Sequence, residues 1–380
     1  MAKLKRALAT GLMAALLAFT LAGCAQSEQT PEGSANTGEA SQEPAQQSNQ
    51  VVDAYGRTVE LPDSVETAAT VGSGARFVVY AGGQDKLIAV TEMETEASPA
   101  RPYTVAHESL FSSLPSTSNG NHLMETSVNT EELLSLHPDV IISSRSAAEC
   151  DELQEAIGIP VVGISYQDQL FSDDVYTSIE VVGEALGTSD HADAVVAKMK
   201  EWQEDLDSRT ASIADEDKPT CYVGAVNYKG AKSFGGTYVQ YAPLEAVNAI
   251  NVADEIGQAG SVEVELEQIG EWNPDFMFLN AGNMDLMKQD YANNQEFFDS
   301  LTAFQSGNLY TQPSYNYNGT NVEMGICDAY FIGFTVFPEQ FSDLDAETVY
   351  QEVFKTMLGT DYYQTMKENG MDFKQLSIAA

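Results

Sequence analysis

The chain has 380 residues and a formal net charge of −39 at pH 7, with 57 acidic side chains against 18 basic ones. Such a surface repels polyanions, which excludes nucleic acid as a partner and excludes a basic patch as the means of holding a membrane. The length exceeds one ordinary core and suffices for two bodies of typical size.

Lys3, Lys5 and Arg6 precede an apolar run over 7–21 that leads into Leu21-Ala22-Gly23-Cys24. The run is short for a bilayer span, which takes ~20 apolar residues, and small residues before a cysteine are what signal-cleaving and lipid-modifying machinery require. We therefore expect 1–23 to be a lipoprotein signal peptide and Cys24 to be the lipidated first residue of the mature protein. Several acyl chains on one cysteine supply the anchoring energy. Residues 24–51 carry almost no aromatic or large aliphatic side chains, cannot repay their ordering entropy by burial, and are expected to form a disordered tether.

A first lobe is expected over 52–172. Its first strand is predicted at 67–72, followed by the turn Gly72-Ser73-Gly74-Ala75-Arg76 into a helix that runs to Gly82. A second strand spans 87–90. After a long loop with Pro99, Pro102 and Pro115, a short helix meets Pro138, and the apolar runs Val140–Ser143 and 160–164 supply two further strands, buried on both faces. From 173 to about 213 there is no proline, and Ile179, Val182, Leu186, Val195, Met199, Trp202, Leu206 and Ile213 keep helical spacing. This predicts one long spine helix over 173–214 between the lobes, with Gly187 as its weak point.

The second lobe, 215–380, opens with a strand at 220–226 and a helix at 241–249. It then repeats a phrase of the first lobe: Asn129-Thr-Glu-Glu-Leu-Leu-Ser-Leu-His-Pro-Asp returns as Glu265-Leu-Glu-Gln-Ile-Gly-Glu-Trp-Asn-Pro-Asp, each followed by an apolar run. The constant offset places Glu131 on Glu267, Pro138 on Pro274 and Asp139 on Asp275. A strand at 308–311 and helices at 321–337, 347–358 and 361–369 complete the chain. The fold class is therefore α/β, with two Rossmann-like lobes joined by the spine helix and a ligand cleft between them.

Ligands of doubly wound sheets meet the loops that leave the carboxyl ends of strands. Those loops nominate Ser73, Arg76, Arg145, Tyr166, Tyr228, Lys232, Asn280, Tyr315 and Tyr317 as ligand-binding residues. After Cys24 the chain has only five arginines, so Arg76 and Arg145 at strand exits are informative: a planar donor suits carboxylate, phosphate or an anionic chelate. The competing assignment for either is an ion pair with a neighbouring acid. Tyrosines and amides in the loop 315–321 suit a bulky, partly apolar cargo. The histidines, His107, His122, His137 and His191, are too scattered for a bare transition-metal site, although His107, His122 or a loop tyrosine remains open as a haem ligand. Cys150, Cys221 and Cys327 define no disulfide framework. No Gly-x-Ser-x-Gly elbow or His-Glu-x-x-His motif supports the rival assignment, an extracytoplasmic hydrolase.

With its cysteine box, matched lobes, connecting helix and paired Glu-then-Pro-Asp phrases, the chain resembles the substrate-binding lipoproteins of iron-complex ABC importers over about residues 52–378. The resemblance implies a non-enzymatic receptor without a cofactor, on the outer face of the membrane and held there by its lipid alone. It implies a small-molecule metal chelate as cargo, most simply a ferric siderophore, with haem, cobalamin and oxyanions such as molybdate open. It also implies docking of Glu131 and Glu267 onto arginines of a permease dimer, which works with a cytoplasmic ATPase.

Overall fold

The computed structural model describes residues 49–119, 127–166, 169–227 and 229–378. The signal segment, Cys24 and nearly all of the expected tether therefore lie outside the described residues, as do His122 and Tyr228. Gln50 and Val51, expected to belong to the tether, are part of a strand: Gln50–Val52 pairs antiparallel with Thr58–Glu60, and Val51 opposite Val59 is buried. Two apolar residues facing one core are enough to bring the last of the tether into a β-ribbon.

Two sheets carry the molecule. In the first, β1 (Ala68–Val71), β2 (Leu87–Ala89), β3 (Val140–Ser143) and β4 (Val161–Gly163) lie in the order β2-β1-β3-β4, all parallel. In the second, β5 (Thr220–Gly224), β6 (Ile250–Asn251), β7 (Phe276–Asn280), β8 (Leu309–Gln312) and β9 (Lys374–Gln375) take the order β6-β5-β7-β8-β9, with only the edge strand β9 antiparallel. Each sheet pairs the first strand of its lobe with the strand that follows the repeated phrase, β1 with β3 and β5 with β7. All residues of β1, β3 and β4 are buried, as continuous apolar runs covered on both faces require.

The repeated phrase has a structural cause. Helices α1 (Gly74–Tyr80), α2 (Thr130–Leu136) and, in the second lobe, the helix Leu266–Trp272 each precede or follow a core strand. α2 and Leu266–Trp272 both end on left-handed residues, His137 (φ 50°) and Asn273 (φ 45°). The proline that follows each disfavours a further helical residue, and one left-handed step redirects the chain into the strand. The next residue then clamps the start of the neighbouring strand. Asp139 Oδ2 accepts from the N–H of Thr67 at 2.8 Å, the N–H of Glu66 at 2.9 Å and Thr67 Oγ1 at 3.0 Å. Asp275 Oδ2 accepts from the N–H and Oγ1 of Thr220, both at 2.8 Å.

The expected single spine helix is a helical hairpin. Helix α3 (Asp173–Leu186) ends at Gly187, whose φ of 69° is left-handed, and the N–H of Thr188 closes back on the carbonyl of Gly183 at 2.7 Å. Helix α4 (Ser189–Thr210) then returns alongside it: Tyr176 Oη donates to Gln203 Oε1 at 2.8 Å, and Gly183 faces Ala192 too closely to admit a side chain. Apolar spacing and the absence of proline could not reveal a reversal made by one glycine. The spine is thus α4 alone, 22 residues or about 33 Å long.

Helix α5 (Leu266–Trp272) is followed by α6 (Val322–Val336), almost wholly buried, and α7 (Ala346–Leu358). The terminal helices, expected to finish the second lobe, also tie back to the first. α7 packs on α1 and on the short helix Pro102–Ala106, Tyr362 Oη donates to the carbonyl of Pro99 at 2.8 Å, and His107 Nε2 lies 3.1 Å from the carbonyl oxygen of Leu358. One hydrophobic cluster includes residues of both lobes. Among the described residues no helix is long and apolar enough to cross a membrane.

Candidate functional site

The loops that leave β1, β4 and β8 meet. Ser73, at the start of α1, receives two contacts from Ser144 Oγ, which accepts its N–H at 2.8 Å and lies 3.1 Å from its Oγ; Ser73 Oγ also bonds to Tyr166 Oη. Arg76 is fully buried. Its Nη1 donates to Tyr166 Oη at 3.3 Å, its Nη2 donates to the carbonyl of Asn318 at 3.2 Å, and its guanidinium lies 4.8 Å from the centre of the Tyr103 ring. Burial works to lower its basicity, but Tyr103, Tyr166, Tyr80 and Glu323 around it raise it further, so the guanidinium stays charged. Gly319, at φ 91°, covers this cluster: a Cβ there would stand 2.7 Å from both Arg76 Nη1 and Tyr166 Oη.

Glu323 and its neighbours complete a polar contact between lobes. Its buried carboxylate accepts from Tyr80 Oη of α1, and the N–H of Val322 donates to the same hydroxyl at 3.2 Å. Burial raises the Glu323 carboxyl above its ordinary value, against the opposing pull of Tyr80 and Arg76. Asn321 Nδ2 donates to the carbonyl of Ala100 at 3.1 Å. The loop 315–321 of the second lobe is therefore fastened to the first lobe at several points.

Beside this seam a cavity of about 520 Å³ opens between the lobes. Met93, Glu96 and Arg101 form its first-lobe wall, and Asn227, Asn316 and Tyr317 stand on the second-lobe side. Arg101 is 5 % exposed; Nη2 donates to the carbonyl of Glu96 at 2.8 Å, while Nε and Nη1 have no hydrogen-bond partner. Asn316 Oδ1 accepts from Thr320 Oγ1 at 2.9 Å, but its Nδ2 is buried without a partner. A larger cavity of about 790 Å³ runs along α4 past Lys200, Gln203 and Tyr238. There Gln203 accepts from Tyr176, Lys200 stands 5.0 Å from the centre of the Tyr176 ring, and no described lining residue carries a buried polar side-chain atom without a hydrogen-bond partner. Unsatisfied buried donors mark the smaller cavity as the one built to receive something.

The sequence-nominated residues divide accordingly. Tyr317, 38 % exposed, lines the 520 Å³ cavity. Ser73, Arg76 and Tyr166 form the sealed cluster next to it. Asn280 and Tyr315 are buried at the carboxyl ends of β7 and the β8 loop, where Asn280 accepts from the N–H of Gly282 at 3.0 Å and Tyr315 packs edge-on against Tyr241. Arg145 instead pairs with Glu149 at 2.9 Å, and Lys232 with Glu263 at 2.7 Å. With acids four residues away or on an adjoining strand, both cations have local countercharges, and neither lines the cavity. Tyr228 lies outside the described residues.

Arg101 escapes the strand-exit rule because it sits between Pro99 and Pro102 in the long loop of the first lobe. Its scarcity as one of few arginines, in a segment stiffened by prolines, was the available signal. Glu131 and Glu267 are exposed on α2 and α5. His107 is held by the carbonyl of Leu358, and burial lowers its basicity. Among the described residues no group of three His, Cys, Asp or Glu side chains is placed to hold a metal ion, and Cys150, Cys221 and Cys327 are buried free thiols.

Residues 79–315 match the family described as periplasmic binding protein. An uncharacterised ABC transporter substrate-binding lipoprotein of Bacillus subtilis, YvrC, is 26% identical over 160 residues, 42% of this chain and 50% of the relative's length. A periplasmic solute binding protein from Veillonella parvula superposes with a TM-score of 0.67 at 21% identity, covering 84% of this chain and 95% of that one. The Haemophilus influenzae molybdate-binding protein MolA, bound to molybdate, gives 0.62 at 19% identity over 82% and 98%. These structures share the two-lobed fold.

Proposed function

This chain belongs to the periplasmic binding protein family, and on that premise we propose that it is the cargo receptor of an ABC importer for iron complexes, with a ferric siderophore as its ligand. Anchored through Cys24 to the outer face of the membrane, it holds the chelate between its lobes and passes it, chemically unchanged, to a permease dimer. The observation that carries this reading is the 520 Å³ cavity between the lobes, walled by Tyr317, amides and one buried guanidinium. A volume of this size falls in the range of bound organic ligands. A lone tetrahedral oxyanion, the cargo of the Haemophilus relative, would leave most of it to water, and a bare cation would lack ligands among the described residues.

The fold supports capture with little lobe motion. α4 spans the lobes as a rigid rod, while the Arg76–Asn318, Tyr80–Glu323 and Asn321–Ala100 contacts already hold them together. Release then requires that the permease loosen this seam, and paired exposed acids on the two lobes, Glu131 and Glu267, give it a symmetric grip. Titration of the purified protein with ferric hydroxamate, ferric catecholate, haemin, cobalamin and molybdate, followed by intrinsic tyrosine and tryptophan fluorescence, tests the reading. Saturable binding of a ferric siderophore supports it; binding confined to molybdate or cobalamin overturns the cargo assignment.

A further inference from the structure

The cavity has an uneven charge and hydrogen-bond inventory. Its charged lining residues among those described are Arg101 and Glu96, one cation and one anion. Arg101 spends one nitrogen on the carbonyl of Glu96 and leaves Nε and Nη1 without a partner. Among the described residues it makes no ion pair. Across the cavity, Asn316 leaves Nδ2 unpartnered, while its Oδ1 and the Oδ1 of Asn227 are both taken, by Thr320 Oγ1 and by Asn283 Nδ2 at 2.8 Å. Orphaned donors thus stand on both walls, and the amide oxygens of Asn316 and Asn227 are satisfied. A buried donor without a partner costs free energy that only an acceptor can return, and a buried guanidinium without a countercharge costs more.

Resting on the receptor reading above, we infer that this cavity selects a chelate with a single anionic oxygen group, which sits on Arg101 while a neutral carbonyl or hydroxamate oxygen takes Asn316 Nδ2. Arg76 is not a second anchor. Its two terminal nitrogens are spent on Tyr166 and Asn318, its Nε is buried inside the sealed cluster without a partner, and the residue is fully buried and does not line the cavity. A trianionic ferric tris-catecholate would therefore meet one countercharge, face the Glu96 carboxylate, and approach a chain whose net charge is −39. A monoanion is matched; each further charge goes unpaired in a partly desolvated space. The device is selection by charge count rather than by size.

Three probes separate these cases: a linear ferric tris-hydroxamate bearing one free carboxylate, its methyl ester, and ferric tris-catecholate. The carboxylate complex should bind the wild-type protein about tenfold or more tighter than its ester, and the tris-catecholate should bind more weakly than the carboxylate complex. Arg101→Gln should erase the difference between acid and ester, and Arg101→Lys should restore part of it. A far-ultraviolet circular dichroism spectrum and a melting temperature matching the wild type certify that the variants fold. Equal affinity for acid and ester in the wild type, a preference that survives Arg101→Gln, or tightest binding of the tris-catecholate overturns the charge-count inference alone. Failure of the wild type to bind any of the three overturns the iron-chelate reading and this inference together.

Discussion

Replacing Asp139 with alanine should expose why one phrase occurs in both lobes. The carboxylate oxygen that would be lost accepts from three donors within 3.0 Å, two of them backbone N–H groups at the head of β1. A hydrogen bond to a charged acceptor is worth ~1.5–3 kcal/mol net. All three share one oxygen at a partly exposed sheet end, so the combined loss is about 2–4 kcal/mol rather than the simple multiple. Burial opposes the charged form of Asp139, but the bonds from Glu66 and Thr67 outweigh it and hold the carboxyl below its ordinary range. A lowered folded-state value means that the contribution is complete above the unfolded value of about 3.9 and disappears as pH falls through the folded one. Urea unfolding of the wild type and Asp139→Ala at pH 7 should differ by the full amount, and at pH 3 the gap should shrink. Asp275→Ala, with two donors, should cost less at pH 7. A loss below about 0.5 kcal/mol at pH 7 in both variants, or a gap at pH 3 as wide as at pH 7, would refute the clamp.

Charge reversal of both Glu131 and Glu267 should abolish uptake in cells and leave chelate affinity of the purified protein unchanged, since both are exposed and neither lines the cavity; a parallel fall in affinity would remove them from the docking role. Gly319→Val places a branched side chain against Arg76 Nη1 and Tyr166 Oη at a left-handed position. It should lower stability by roughly 1–3 kcal/mol and accelerate chelate release in stopped-flow measurements, and an unchanged dissociation rate would show that this seam does not hold the cargo. Arg145→Ala and Lys232→Ala should alter affinity less than about twofold, because each cation is paired with an acid outside the cavity. A tenfold loss in either would return it to the ligand site.

Much of the architecture was legible because it rests on short-range rules. Proline after a helix, apolar runs such as Val140–Ser143 and the matched Pro-Asp phrases each report a local conformation, and two copies of one plan imply two lobes. The spine misled for a physical reason. Helical spacing continues on both sides of Gly187, and whether a left-handed glycine bends the path slightly or folds α4 back on α3 depends on the close approach of Gly183 to Ala192, which is a tertiary fact. The tie between α7 and the first lobe is likewise invisible, since nothing near Leu358 announces His107.

The site was less legible than the fold. Ser73, Arg76 and Tyr166 stand together just after strand exits, yet a list of exits does not say which are sealed. Gly319 decides that, through its lack of a side chain rather than through any chemistry of its own. Arg145 and Lys232 looked available because the sequence does not show which of 57 acids lies beside them. Arg101 comes from a connecting loop, and its value lies in donors left unpaired, a property that exists only once the chain has folded around them.

Hydrogen exchange with and without the bound ferric chelate tests the central claim most directly, because the cargo should bridge two segments far apart in sequence. Slowed exchange should appear together at 93–101 and 316–318 on loading, with 200–207 along α4 unchanged. Slowing limited to 169–172 and 200–207, beside the larger cavity, would place the cargo elsewhere and contradict the account.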